Sequence, residues 1–273
     1  MIGGAEDDDE SSRRSNGPPD DFTRLEDVFP GLKDYPGLAV PLAPVDGFLG
    51  VSAVADAANL AATEAQYRQL LAEIKQIEPT FVDQELLPAG GIAGLTWQGR
   101  TNLINDLRMQ RAVAYYKILG DIGPLQVETL RFLQSAVDDA YEEAVSLSDA
   151  GSLHPRLSQQ EAIGNWVDLK VRQGLKEQLD SYGISFGRKE AVTINNRNYE
   201  TSDDGQSYRV PDARLGDVAF DWTLSAKTIA APQIRGFFRA DSRPRAVVII
   251  RPSELGTNST YLIPRPADNL IQR

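Results

Sequence analysis

The apolar rhythm of this chain changes close to residue 183. Before it, apolar residues recur every three or four positions; after it, they fall in short β-branched and aromatic runs. The two periods bury their side chains in different ways, so the chain must build helices first and a sheet afterwards. The helical part opens with "VADAANLAATEAQYRQLLAEIKQIE" (54–78), stopped by Pro79. "TNLINDLRMQRAVAYYKILG" follows, with Thr101 as its expected N-cap and Gly120 as its terminator. The third helix has Pro124 in its first turn and Gly151 past its end. In the fourth, Ser158 and Glu161 have capping-box spacing and Gly183 closes the run.

Beyond that point "AVTINNRNYE", "QSYRVPDAR", "DVAFDWTLS" and "RAVVIIRPS" are predicted strands, with "APQIRGFFRAD" a short helix between the last two. The expected fold class is α+β: an all-α N-terminal domain, then an α/β domain ordered helix, strand, strand, strand, helix, strand. Residues 1–21 read as a disordered acidic leader, 22–157 as a helical delivery or adaptor domain, and 158–273 as the functional domain. His154 is the one histidine; it precedes a proline and is assigned to the linker, so chemistry that depends on histidine is disfavoured.

At 41% apolar residues the chain can bury a core, and it contains no run of 18 apolar residues and no hydrophobic signal core. The absence of cysteine excludes disulfides, thiolate metal sites and cysteine nucleophiles. The net charge of −11 is unevenly spread. Residues 1–182 hold 15 Lys+Arg against 29 Asp+Glu, whereas residues 183–273 hold 13 against 10. Such asymmetry suggests separate tasks for the two parts, the basic one suited to phosphate.

The two strands around "LGD" each carry an acid. With that turn as the centre, Asp212 and Asp221 face each other across a hairpin. Directly opposed carboxylates destabilise a sheet pair unless a cation lies between them. Hard oxygen ligands of this kind suit Mg²⁺ or Mn²⁺. Alternation puts Asp221, Thr223, Ser225 and Lys227 on a wet face of the strand and Phe220, Trp222 and Leu224 on the other.

The pair Pro211–Asp212, an acid in the next apolar strand, then a helix and an apolar strand ending in "RP", resembles the PD-(D/E)xK (restriction-endonuclease-like) nuclease superfamily over about residues 158–270. "FDWTLSAKT", "PQIRGFF" and "VVIIRPSELG" also resemble C-terminal toxin domains of polymorphic or secreted bacterial effectors. The resemblance implies a Mg²⁺- or Mn²⁺-dependent nuclease, with DNA favoured over RNA, in which Asp212 and Asp221 hold the metal. A third acid often comes from the first helix; Glu161 is the candidate, although its capping box accounts for it, and Asp168 is a second. The superfamily lysine should stand two residues after the second acid, where this chain has Thr223. Lys227 can serve only if the strand ends and the chain curls back at "SAKTIAAP", and Gln233 or Arg235 can share the task.

Arg235, Arg239 and Arg243, with Arg245 and Arg251, are candidate phosphate contacts. An effector of this class implies an immunity protein, a secretion-machinery partner, and delivery into a target cell without a signal peptide. Two rival readings stand beside it. One is a non-catalytic secretion adaptor or interaction module; the other is a transferase toxin using Arg209 and Glu254.

Overall fold

The computed structural model describes residues 53–82, 87, 90–153, 157–200, 207–256 and 259–271. The expected leader, the segment 22–50 and His154 lie outside them. Four long helices come first: α1 (Ala53–Ile77), α2 (Trp97–Ala114), α3 (Gly123–Asp149) and α4 (Gln159–Ser181). Helix α2 starts one turn before the expected cap. Thr96, not Thr101, accepts the Gly99 amide proton, while the Thr101 hydroxyl bonds back to Trp97 O inside the helix. The Ser158–Glu161 capping box is present at the start of α4, with each residue's side chain meeting the other's backbone N–H.

The strands are β1 (Val192–Ile194), β2 (Asn198–Tyr199), β3 (Tyr208–Arg209), β4 (Ala213–Leu215), β5 (Val218–Trp222), β6 (Ala246–Ile250) and β7 (Thr260–Pro264). Helix α5 (Pro232–Arg239) joins β5 to β6, and α6 (Asp268–Ile271) follows β7. Five strands form a mixed sheet in the order β1-β4-β5-β6-β7; β5 and β6 are parallel and the other neighbours antiparallel. The remaining pair, β2 and β3, makes a separate two-stranded hairpin inserted between β1 and β4. The expected order therefore gains this hairpin and a final strand, β7. The turn between β4 and β5 uses Gly216 at φ 57°, a conformation that a side chain disfavours.

Alternation along the strands fills both faces of the sheet. Val218, Phe220, Trp222, Val248, Ile250 and Leu262 pack with residues of α3 and α4. Ala219, Val247, Ile249, Tyr261 and Ile263 pack with Ile234, Phe237 and Phe238 of α5 and with Ile271. The sheet is thus the middle of three layers. Helices α1 and α2 add a separate cluster around Leu70, Ile74, Ile104 and Leu107. One apolar core therefore spans Met109 to Leu262, and residue 157 falls inside its sequence span, so the expected domain division does not coincide with a break in the packing.

The wet face expected for β5 does not exist. All five of its residues are buried, and Asp221 is only 1% exposed. The reason is topological: a parallel neighbour requires a crossover, and here the crossover helix α5 covers the side on which an antiparallel hairpin could have met water.

A carboxylate pair closed by a returning lysine

Strands β4 and β5 pair Ala213 with Phe220, so one further step of the register brings Asp212 opposite Asp221. At this end of the sheet the Trp222 amide donates to Asp212 Oδ2 at 2.9 Å. β5 stops at Trp222, where the Thr223 amide still bonds Ile250 O, and the chain then leaves the sheet. It turns back far enough for Lys227 Nζ to lie 2.6 Å from Asp221 Oδ2. The curl required by the sequence argument is therefore present.

Two groups hold Lys227 in place. The Tyr261 hydroxyl on β7 accepts from the Lys227 amide at 2.6 Å and donates to its carbonyl at 2.8 Å. Gln233, in the first turn of α5, accepts from Lys227 Nζ at 2.8 Å and donates to Asp221 Oδ1 at 2.9 Å. Both Asp221 oxygens are thus occupied, and Lys227, Gln233 and Asp221 form a closed triangle. An ammonium carries three N–H groups; two are used here, which leaves one for a substrate oxygen.

Burial pushes the Asp212 carboxyl well above its ordinary range, and the neighbouring Asp221 and Asp168 charges push it further, against the Trp222 N–H and Lys227. Asp221 is also raised by burial, with Lys227 opposing. Asp168, on α4, accepts from the Trp222 indole N–H at 3.2 Å and pairs with Arg172. It is therefore the helix acid whose field reaches Asp212. Glu161 remains at the exposed start of α4, held by Ser158 N and Oγ at 3.1 and 2.7 Å, and those bonds lower its pKa. It lines an open cleft of about 500 Å³ together with Gln160, Gly164, Trp222, Thr223 and Ser225.

The arginines divide. Arg235 lies two residues beyond Gln233 on α5. Arg239 is committed to buried Glu200, 2.8 Å away. Arg243 and Arg245 sit in the turn before β6, at the opposite end of the sheet from the acids, and Arg245 pairs with Asp217. Arg251, just beyond the end of β6, reaches Leu224 O. Arg209 also pairs with Glu200, whereas Glu254 is in the β6–β7 connection, so the pair proposed for transferase chemistry is not brought together.

No local pattern marks Tyr261, because it lies on β7, a strand that the expected element order lacks. Among the described residues, no group of three or more His, Cys, Asp or Glu side chains is placed to hold a metal, and no helix is long and apolar enough to cross a membrane. No family model matches the chain, and no curated protein or solved structure matches it.

Proposed function

We propose that this chain is a metal-dependent nuclease of the PD-(D/E)xK kind that hydrolyses phosphodiesters in DNA. The observation carrying the reading is the return of Lys227 to Asp221 beside Asp212, which restores in space the lysine missing from the linear motif. The element order α4, β1, β4, β5, α5, β6, with β5 and β6 parallel, accords with it.

The donor set fits a hard divalent cation. Asp212 and Asp221 are oxygen donors whose burial favours protonation, at Asp212 with the Asp221 charge adding to it, and a dication would relieve both. Mg²⁺ commonly takes only one or two carboxylates from the protein and completes its shell with water and substrate phosphate. Bound there, Mg²⁺ would act as a Lewis acid on the scissile phosphate. The chain's own groups do the rest. Lys227 offers its remaining N–H to a phosphate oxygen or to the attacking water, and its charge opposes the build-up of negative charge on the phosphate. Gln233 fixes the direction of that ammonium while orienting Asp221. Asp168 accepts from the Trp222 indole N–H, and the Trp222 backbone N–H donates to Asp212.

An effector role, with an immunity protein as partner, belongs to the same proposal and is supported by the basic character of residues 183–273. The deciding experiment incubates the full chain with plasmid DNA and Mg²⁺ or Mn²⁺, with and without chelator. Nicking or linearisation that chelator stops, and that Asp221→Asn abolishes, is the expected result. Intact plasmid under every condition, with folded protein, would favour the interaction-module reading.

A further inference from the structure

Two tyrosine rings of the inserted hairpin hold two exposed arginines. Tyr199 and Tyr208 are register partners on β2 and β3, and their rings meet edge to face with centroids 6.0 Å apart. The Arg197 guanidinium lies 4.5 Å from the Tyr208 ring centroid, and that of Arg188 lies 5.5 Å from the Tyr199 centroid. Arg188, Arg197 and Tyr208 are exposed. Neither arginine forms an ion pair among the described residues. The nearby acid Glu200 is buried and already takes Arg209 at 3.1 Å and Arg239 at 2.8 Å. Exposed cations held by ring faces rather than by carboxylates remain available to an anionic ligand.

The surface is also rigidly mounted. Glu200 ties the hairpin to α5 through Arg239, and the Asp241 amide donates to Tyr199 O at 2.7 Å. Arg209 rests on α5 at Gly236, where an added Cβ would collide with its Nε. The hairpin leads directly into the carboxylate site through Val210, Pro211 and Asp212, and the Asn195 amide bonds Asp212 O. From Tyr208 to Asp212 is four residues, at most ~14 Å of extended chain. That distance corresponds to roughly four nucleotides along one strand of a duplex.

We infer that Arg188 and Arg197, oriented by the Tyr199 and Tyr208 rings of β2 and β3, form a second nucleic-acid contact that grips backbone phosphates of duplex DNA a few nucleotides from the scissile one. The inference rests on the nuclease reading and extends it to the mode of substrate binding. The guanidiniums already cover ring faces, so the tyrosines orient the arginines and do not stack on bases. The grip is therefore to the backbone and independent of sequence. An acidic protein surface would also attract these cations, but the phosphate geometry suits planar forks and the position beside Asp212 suits a substrate.

The test measures binding of the full chain to a fluorescein-labelled DNA duplex in chelator, across a series of salt concentrations. Each lost phosphate contact lowers the slope of log K against log salt by about 0.9, so Arg188→Ala/Arg197→Ala should lower it by about two and weaken binding by about tenfold or more. Tyr208→Phe should bind as the unaltered chain does, whereas Tyr208→Ala should lose about one contact. Thermal melting of each variant confirms folding, and Arg188→Lys/Arg197→Lys should keep most of the salt slope. If the unaltered chain binds DNA and the double alanine variant binds with the same slope, the hairpin inference falls alone. If the unaltered chain binds no DNA, the nuclease reading falls with it. Binding of a poly-glutamate peptide in place of DNA, lost in the double variant, would assign the surface to an acidic protein and overturn the inference.

Discussion

The Tyr261 hydroxyl bonds both the amide and the carbonyl of Lys227, so one side chain on β7 fixes the backbone of the residue that closes the carboxylate pair. The phenol is buried and its pKa is raised mainly for that reason, so it stays protonated and able to donate. Tyr261→Phe removes both bonds while keeping the ring that packs against Ile249 and Ile263. The expected loss of stability is about 1 kcal/mol. Turnover should fall far more, by up to about a hundredfold, because a small displacement of Nζ spoils its aim. Equal effects on turnover and melting would reduce Tyr261 to a packing residue.

Lys227→Met separates charge from packing. It leaves Asp221, 1% exposed, without its counter-charge, and breaking a buried ion pair costs about 3–5 kcal/mol. The variant should melt lower and turn over slowly, with little change in KM. Adding Asp221→Asn should recover much of the lost stability and none of the activity. Failure of the second change to restore melting temperature would mean that the ammonium does not neutralise Asp221.

The two raised carboxyls give a signed pH dependence. Each binds its proton more tightly in the folded state than in the unfolded chain. The stabilisation is therefore complete below the ordinary value of 3.8 and is lost as pH rises through the folded values. In chelator, the melting temperature should fall as pH rises above about 4. Asp212→Asn should flatten that fall and match or exceed the original stability near neutrality. Mg²⁺ should raise the melting temperature of the unaltered chain near neutrality and leave that of Asp212→Asn almost unchanged. A Mg²⁺ response of equal size in both would place the cation elsewhere.

The sequence made the site's position legible and left its enclosure hidden. Glycine and hairpin spacing put Asp212 opposite Asp221, and the Ser158–Glu161 spacing announced a cap that the structure contains. Burial of Asp221 was not legible, because alternation along β5 shows which residues share a face but not what covers that face. The cover comes from α5, which only the parallel β5–β6 pairing brings over the acid. The Lys227 curl was conceivable from "SAKTIAAP" but could not be chosen over a straight strand, since its anchor, Tyr261, lies 34 residues further on. The hairpin split off from the first and second predicted strands for a similar reason: Glu200 and Arg239 hold it against α5 through a contact that local pattern does not encode.

The same packing makes a prediction about dividing the chain. Helix α3 covers one face of the sheet: Leu125, Leu130, Leu133 and Val137 are fully buried in the cluster that includes Phe220, Val248 and Ile250. Its polar side chains also bond backbone groups of β4 and of the β6–β7 connection. Gln126 donates to Leu215 O at 2.8 Å, Gln134 donates to Arg251 O at 3.0 Å, and Asp138 accepts from Ser253 N at 2.7 Å. A buried Leu or Val contributes about 1.5–3 kcal/mol, so losing four such contacts rivals the ~5–15 kcal/mol stability of a whole domain. Residues 158–273 alone should therefore lack a cooperative urea transition by tryptophan fluorescence, should aggregate, and should show no cleavage. Residues 53–273 should unfold cooperatively and retain activity. A sharp transition in the shorter fragment would show that the α3 layer is dispensable and that a domain does begin at 158.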